Sequence, residues 1–351
     1  MKSKSKNLRC VSGLVEAGFI KSSDAHLYKG IEAQYDIGIS AHVCSLIKTP
    51  DDPIARQYIP DLAEMNINPD EKIDPIGDNA HSPVKGIVHR YPDRALLKIT
   101  NICAVYCRYC FRRDIIGAGS DHLIDDDYIK AINYIRSHKK VWEVILTGGD
   151  PLILSADKLQ KIMSDLDAID HVGVIRVHTR IPIVNPSKID DTILDVFKSV
   201  SKAVHVVAHV NHVDEITDSS EEKILQLRQA NCSILSQSVL LKGVNDDAKT
   251  LANLFKKLIS LHIKPYYLHH LDRAKGTSHF RVSLERGMQI MKELQGNLSG
   301  ICLPKYMLDI PDGYGKVPIN DTYICRSDIC SSDKVEYIIE DYKGDKHVYK
   351  E

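Results

Sequence analysis

With 351 residues, 43% of them hydrophobic and 26% charged, the chain has enough apolar material for a large core, built as one big α/β domain or two smaller ones. A formal net charge of −1 leaves no overall basic field to hold nucleic acid or an anionic membrane, so the expected partners are small molecules. No apolar run approaches a membrane span and the opening MKSKSKNLRC has no signal-peptide core, so a globular protein of the cytoplasm, where thiols stay reduced, is expected.

Residues 1 to about 85 read as irregular and mostly helical, a cap without a catalytic motif, broken at Pro50-Asp51-Asp52-Pro53 and Asn66-Ile67-Asn68-Pro69. Residues 86–94, GIVHRYPDR, read as a loop that carries Arg90, Tyr91 and Arg94 to the first strand; taken alone, such arginines are more often solvated than functional. From Ala95 short apolar runs alternate with amphipathic stretches, the rhythm of β/α units on a parallel sheet. Strands are predicted near 95–100, 142–147, 172–178, 203–210, 232–240 and 263–269, and helices over 124–137, 155–167, 189–199, 220–230 and 247–261. A helix at 283–295 then precedes an extended segment at 301–309, and the chain after about Asp333 reads as a polar tail. Six units without a nucleotide-binding Gly-x-Gly-x-x-Gly predict a curled, barrel-like sheet with its active site at the carboxyl ends of the strands. The chemistry-bearing residues fall at those ends: Cys103, Gly148-Gly149-Asp150, His178-Thr179-Arg180, His209 to His212, Gln237 and His269 to Asp272.

Just after the first of these strands come Cys103, Cys107 and Cys110, spaced C-x3-C-x2-C. Thiolates at this spacing can fold round one soft metal centre, an iron-sulfur cluster first of all. A structural zinc site and plain core thiols stay open as alternatives, although zinc usually takes a fourth Cys or His at ligand spacing and none follows within the next turn. A disulfide framework does not suit nine cysteines in a chain of this length. The motif resembles the signature of the radical S-adenosylmethionine superfamily, which implies a [4Fe-4S] cluster whose fourth iron is held by S-adenosylmethionine.

Further stretches carry a narrower resemblance. HRYPDRALLKITNICAVYCRYCFRRD, ILTGGDPL, RVHTRIPIVNP, QSVLLKGVND, GTSHFRVS and LDIPDGYGK, running from about Pro83 to Pro318, resemble the lysine 2,3-aminomutase family in sequence and in order. That resemblance implies a partial (β/α)6 TIM-like barrel with an N-terminal helical region (1–85), the barrel (86–300) and a C-terminal extension (301–351). It also implies pyridoxal phosphate beside the cluster and S-adenosylmethionine, and an isomerase that moves an amino group between the α and β carbons of an amino acid. The chemistry makes these cofactors necessary: no side-chain base can deprotonate an unactivated carbon, so a radical must be made first, and the migrating nitrogen must be held while it crosses.

By the same resemblance Cys103, Cys107 and Cys110 hold the cluster, and Lys316 holds the pyridoxal aldehyde from a glycine-rich loop. Arg90, Tyr91 and Arg94 meet the cofactor phosphate, while Thr147, Gly148, Gly149, Asp150 and Gln237 meet S-adenosylmethionine. Arg112 receives the substrate carboxylate, a role suited to the guanidinium fork. Asp272 and Asp309 receive its distal ammonium, which favours L-lysine over glutamate. Read without the family, Lys316 would be a solvated ammonium on a turn, each aspartate a cap or a solvated loop residue, and the histidines hydrogen-bonding rim residues. The family further implies a reducing electron donor such as flavodoxin or ferredoxin, and a homo-oligomer is expected. Long family members join subunits through zinc, but the loop Gly243 to Asp247 has no cysteine and only Cys325 and Cys330 remain near the end, so no structural zinc is expected. The segment Tyr267 to Asp272 resembles the short branch that makes β-lysine for elongation factor P. The competing readings are an aminomutase for another amino acid, such as glutamate, and a non-catalytic iron-sulfur or zinc module.

Overall fold

A computed structural model describes residues 6–117, 122–320, 324–326, 335–341 and 343–351. Nine strands form one sheet in strict chain order: β1 Ile87–Tyr91, β2 Arg94–Thr100, β3 Glu143–Gly148, β4 Val174–Thr179, β5 Ala203–His209, β6 Cys232–Val239, β7 Lys264–His269, β8 Lys305–Ile310 and β9 Gly315–Pro318. Neighbours from β2 to β8 are parallel, and β1 and β9 add one antiparallel strand at each edge. The partial (β/α) barrel is therefore as the sequence predicts, nearly closed and wrapped by helices.

Amphipathic helices make the crossovers. Asp125–Ser137, Ala156–Asp167, Asp191–Lys198, Asp218–Gln229, Ala248–Ser260 and Leu284–Asn297 each bury one stripe against the sheet. Their starts are chemically marked: the side chains of Ser155, Asp190, Thr217, Asp247 and Ser283 each accept a first-turn backbone N–H. The core is continuous from Leu8 to Tyr349. Among the described residues no helix is long and apolar enough to cross a membrane.

Four local expectations need correction. Residues 87–91 are not a loop but β1, because Val88 and Ile87 pair with Leu96 and Leu97 and supply an apolar edge. Of the extended segment predicted at 301–309, Lys305–Ile310 is a seventh parallel strand, with Tyr267 opposite Lys305, while Gly300–Cys302 is a 3-10 turn before it. Lys316 lies on β9 rather than in the glycine-rich loop, directly opposite Asp309; the loop itself, with Asp312 at φ 68° and Gly313 at φ 89°, is the tight turn into that strand. The tail also folds: Glu336–Glu340 and Lys346–Lys350 form a hairpin against Ile324–Arg326, burying Tyr337, Ile339 and Tyr349. Their period-two alternation outweighs the polar composition.

The N-terminal segment is built from short helices, Val11–Glu16, Ala25–Gln34, Ala41–Leu46 and Pro53–Tyr58. Pro53, read as a break, is the first residue of the last of these, where a missing N–H costs nothing, and Asp52 caps it by accepting from Ile54 and Ala55. Cys330, considered for a zinc site, lies outside the described residues.

Candidate active site

The three thiols follow β2 directly. Cys103, Cys107 and Cys110 line one open pocket together with Tyr35, Tyr106 and Arg108. Burial pushes the Cys103 thiol well up, and the charges of Asp150, Cys110 and Cys107 add to it; burial and then Cys107 push Cys110 up to about 11. Cys103 and Cys110, each opposed in ionising by burial and by neighbouring thiols, call for a positive centre beside them. Cys107 Sγ already has one cation, accepting from Arg180 Nη1 at 2.8 Å. Among the described residues no three His, Cys, Asp or Glu side chains converge on a single metal ion; a cluster does not need that convergence, because each thiolate binds its own iron.

Two arginines, Arg108 inside the motif and Arg113 just beyond it, anchor the loop. Arg108 and Arg113 both form ion pairs with Glu64, which is fully buried, and Arg108 Nη1 also donates to the Asp36 carbonyl at 2.9 Å. Burial works to raise the Glu64 carboxyl, but the two guanidiniums outweigh it and hold it below the ordinary range. From the other side the Gly148-Gly149-Asp150 turn clamps the loop: Gly149 N donates to Thr100 O at 2.5 Å and Asp150 N to Ile102 O at 2.9 Å. A Cβ on Gly149 would collide with the Ile102 carbonyl, which explains the glycine. The Asp150 carboxylate is occupied by the protein itself, accepting from Thr179 Oγ1 at 2.7 Å, Arg180 N at 2.6 Å and Leu152 N at 3.0 Å. It ties the end of β3 to the end of β4.

Inside the barrel the strand residues are polar. Lys316 Nζ forms an ion pair with Asp309 and lies 3.1 Å from His269 Nδ1. Asp272 has Asp309, Lys316, Arg112 and Asp78 as its electrostatic neighbours; burial and then Asp309 push its carboxyl up to about 8. Arg112 is held by Asp78, with Nη2 and Nε at 2.7 and 3.3 Å from Oδ2, while its Nη1 lies 3.4 Å from Thr147 Oγ1. Arg90 Nη2 donates to Ile76 O at 2.5 Å, and Arg90 reaches Asp78 at 3.7 Å and Asp309 at 4.0 Å. Its buried Nε has no hydrogen-bond partner among the described residues. Tyr91 Oη accepts from Lys316 N at 2.7 Å, and Arg94 stacks 3.8 Å above the Tyr91 ring while pairing with Asp93. Gln237 lies on β6 in register with His209 on β5 and Tyr267 on β7. His178 and His269 are held neutral: burial, then nearby cations, pushes both well below the ordinary imidazole range.

Comparison with known proteins bears on this geometry. Residues 97–255 match the model of the radical SAM superfamily. An L-lysine 2,3-aminomutase of Methanococcus maripaludis is 35% identical over 97% of this chain and 77% of its own, and one of Clostridium subterminale is 37% identical over 90% and 75%. A glutamate 2,3-aminomutase of Clostridioides difficile is 37% identical over 84% and 70%.

The chain belongs to the lysine 2,3-aminomutase family. As a radical SAM aminomutase, an isomerase, it takes the superfamily's [4Fe-4S] cluster and S-adenosylmethionine. Its residues fit the cluster: three thiols open to one pocket beside a fixed guanidinium. They also fit the phosphate and aldehyde of the family's pyridoxal cofactor, since Arg90 offers an unpartnered buried N–H and Lys316 an amine inside the barrel. The residues expected in the barrel, namely Arg90, Tyr91, Arg112, Asp272, Asp309 and Lys316, converge there. The Asp150 side chain and Arg94 are both engaged by other protein groups. Sequence reasoning missed Asp78, which holds Arg112; Glu64, which holds the cysteine loop; and the contact of Arg180 with Cys107. Asp78 and Glu64 lie in the N-terminal segment; Glu64 is marked locally only as the last residue of an Asp61–Glu64 capping box, which does not point to the cysteine loop.

Proposed function

We propose that this aminomutase converts L-lysine to β-lysine with pyridoxal phosphate on Lys316. The observation that carries the reading is the pair Asp272 and Asp309: Asp309 is neutralised by Lys316, while Asp272 is left without an ion pair among the described residues and is pushed up to about 8. A site with two facing carboxylates and one resident ammonium has a vacancy for a second cation once Lys316 engages the cofactor. The distal ammonium of lysine fills that role, whereas a glutamate side chain would put a third carboxylate among them. When bound, the cluster and S-adenosylmethionine supply one-electron abstraction of an unactivated hydrogen, and pyridoxal phosphate holds the nitrogen during its transfer.

The chain's own residues then orient the substrate. Arg112, its Nε and Nη2 held by Asp78, turns its Nη1 side to the α-carboxylate; Arg90 and Tyr91 receive the cofactor phosphate; His269, held neutral, accepts from the Lys316 ammonium without adding charge. The three thiolates hold the cluster at the carboxyl end of β2. A reducing electron donor such as flavodoxin or ferredoxin and an amino acid are the partners this chemistry requires. Anaerobic reconstitution with iron, sulfide and pyridoxal phosphate, followed by S-adenosylmethionine, a reductant and either L-lysine or L-glutamate, tests the reading by mass spectrometry of the products. β-Lysine from lysine and nothing from glutamate is expected. β-Glutamate instead would overturn the substrate assignment.

A further inference from the structure

Arg180 stands outside the cysteine motif, at the end of β4, yet it reaches the motif's central sulfur. Its guanidinium is nearly fully buried and both terminal nitrogens are engaged, while Nε has no hydrogen-bond partner among the described residues. Nη1 donates to Cys107 Sγ at 2.8 Å and to the Tyr109 hydroxyl; Nη2 donates to Gln57 Oε1 at 2.8 Å and pairs with Glu215. The acceptors are themselves fixed. Glu215 Oε1 accepts from Asn211 N and His212 N, both at 2.8 Å, and from Gln57 Nε2 at 3.2 Å. Asn211 Nδ2 donates to Gln57 Oε1 at 3.0 Å and to Tyr109 Oη at 2.7 Å. The Tyr58 ring lies 5.0 Å from the guanidinium carbon. A side chain of this kind cannot swing away from the sulfur without breaking a buried network.

We propose that Arg180 is a positioning residue that sets the reduction potential of the cluster through its charge-assisted hydrogen bond to Cys107 Sγ, with Glu215 as the opposing charge. The proposal rests on the reading of the three thiols as cluster ligands. Reduction places one more negative charge on the cluster, and hydrogen bonds to its sulfurs, together with nearby charge and solvent exposure, set the potential. A donor and a cation at the sulfur stabilise the reduced form more than the oxidised one and so raise the potential. Burial keeps water from screening that effect. Glu215 acts in the opposite sense on the same guanidinium. The two residues therefore have opposite signs, which a purely structural network would not produce.

The test is a redox titration of the reconstituted full-length protein, without S-adenosylmethionine, read from the electron paramagnetic resonance signal of the reduced cluster. Parent, Arg180→Lys, Glu215→Gln and the double variant Arg180→Met with Glu215→Gln are compared at matched iron content. At the parent's midpoint potential the reduced-to-oxidised ratio is expected to fall about tenfold in the double variant, which for one electron is a shift of about 59 mV. A smaller fall is expected in Arg180→Lys, which keeps the charge and loses the fork. Glu215→Gln is expected to shift the ratio the other way. Coincident midpoints in Arg180→Lys and Glu215→Gln would overturn the proposal, whether or not the double variant folds. A parent that binds no iron-sulfur cluster would instead overturn the cluster reading on which it rests.

Discussion

The backbone N–H of Lys316 donates to the hydroxyl of Tyr91 at 2.7 Å, although 225 positions separate them in the chain. These residues belong to β9 and β1, the two edges of the sheet, which share no backbone ladder. The barrel is thus laced at its seam by two residues that we propose meet the cofactor, Lys316 at its aldehyde and Tyr91 at its phosphate. Tyr91→Phe removes the acceptor and is expected to cost about 1 kcal/mol of stability. It should also weaken pyridoxal phosphate binding, read by visible absorbance during titration of the cofactor. Unchanged affinity and melting temperature would show that the lacing contributes nothing.

Asp272 gives a pH dependence with a defined sign. Its carboxyl is raised from the ordinary value, about 3.9 in an unfolded chain, to about 8 in the fold by burial and by Asp309. Between those values the folded protein binds the extra proton, so the stability of the cofactor-free protein falls as pH rises through the window, by no more than about 1.4 kcal/mol per pH unit. The buried imidazoles of His178 and His269, depressed by burial, act in the opposite sense at lower pH. The difference between parent and Asp272→Asn isolates the carboxyl. Denaturation midpoints measured from pH 5 to 8.5 should separate as pH rises, the parent losing stability across the window while Asp272→Asn does not share that slope; parallel curves would show that the carboxyl is not raised.

The strand and helix pattern of the barrel was legible because each unit carries its own period, and helix starts such as Ser155, Thr217 and Asp247 announce themselves chemically. What was not legible depends on pairing across long stretches of chain. β1 reads as a loop until Ile87 and Val88 meet Leu97 and Leu96, and Lys316 reads as a turn residue until it pairs opposite Asp309. The cysteine motif named its own neighbourhood, but the residues that hold it in place, Glu64 from the N-terminal segment and Arg180 from β4, carry no spacing that links them to it. Charge complementarity alone does not say which arginine meets which acid.

Glu64 compensates two buried guanidiniums, one of them between Cys107 and Cys110 in sequence. Glu64→Ala leaves both without their partner and is expected to destabilise the protein by about 3–5 kcal/mol. Because Arg108 and Arg113 flank the thiols, the same change should lower the iron bound per chain on reconstitution. Full iron loading in a destabilised Glu64→Ala protein would separate the ion triad from the geometry of the loop.

Gly149→Ala tests the clamp between the β3 turn and the cysteine loop. The new methyl has no room against the Ile102 carbonyl, so either the turn or the loop must move. Iron content and cluster absorbance are expected to fall, with the far-ultraviolet circular dichroism of the barrel preserved. A variant that loads iron like the parent would show that Thr100 and Ile102 do not hold the thiols in register.

The chain-order pairing of the nine strands has a consequence for biosynthesis. Each strand finds its partner in the one made just before it, so the sheet can be laid down in the direction of translation, edge first, without waiting for distant segments. Only the seam breaks this order: Tyr91 and Arg90 emerge early, while Asp309 and Lys316 emerge close to the end. The cysteine loop and its anchors Glu64 and Arg180 are complete well before Lys316 exists, and the barrel interior closes as the last parallel strand and its antiparallel partner are made.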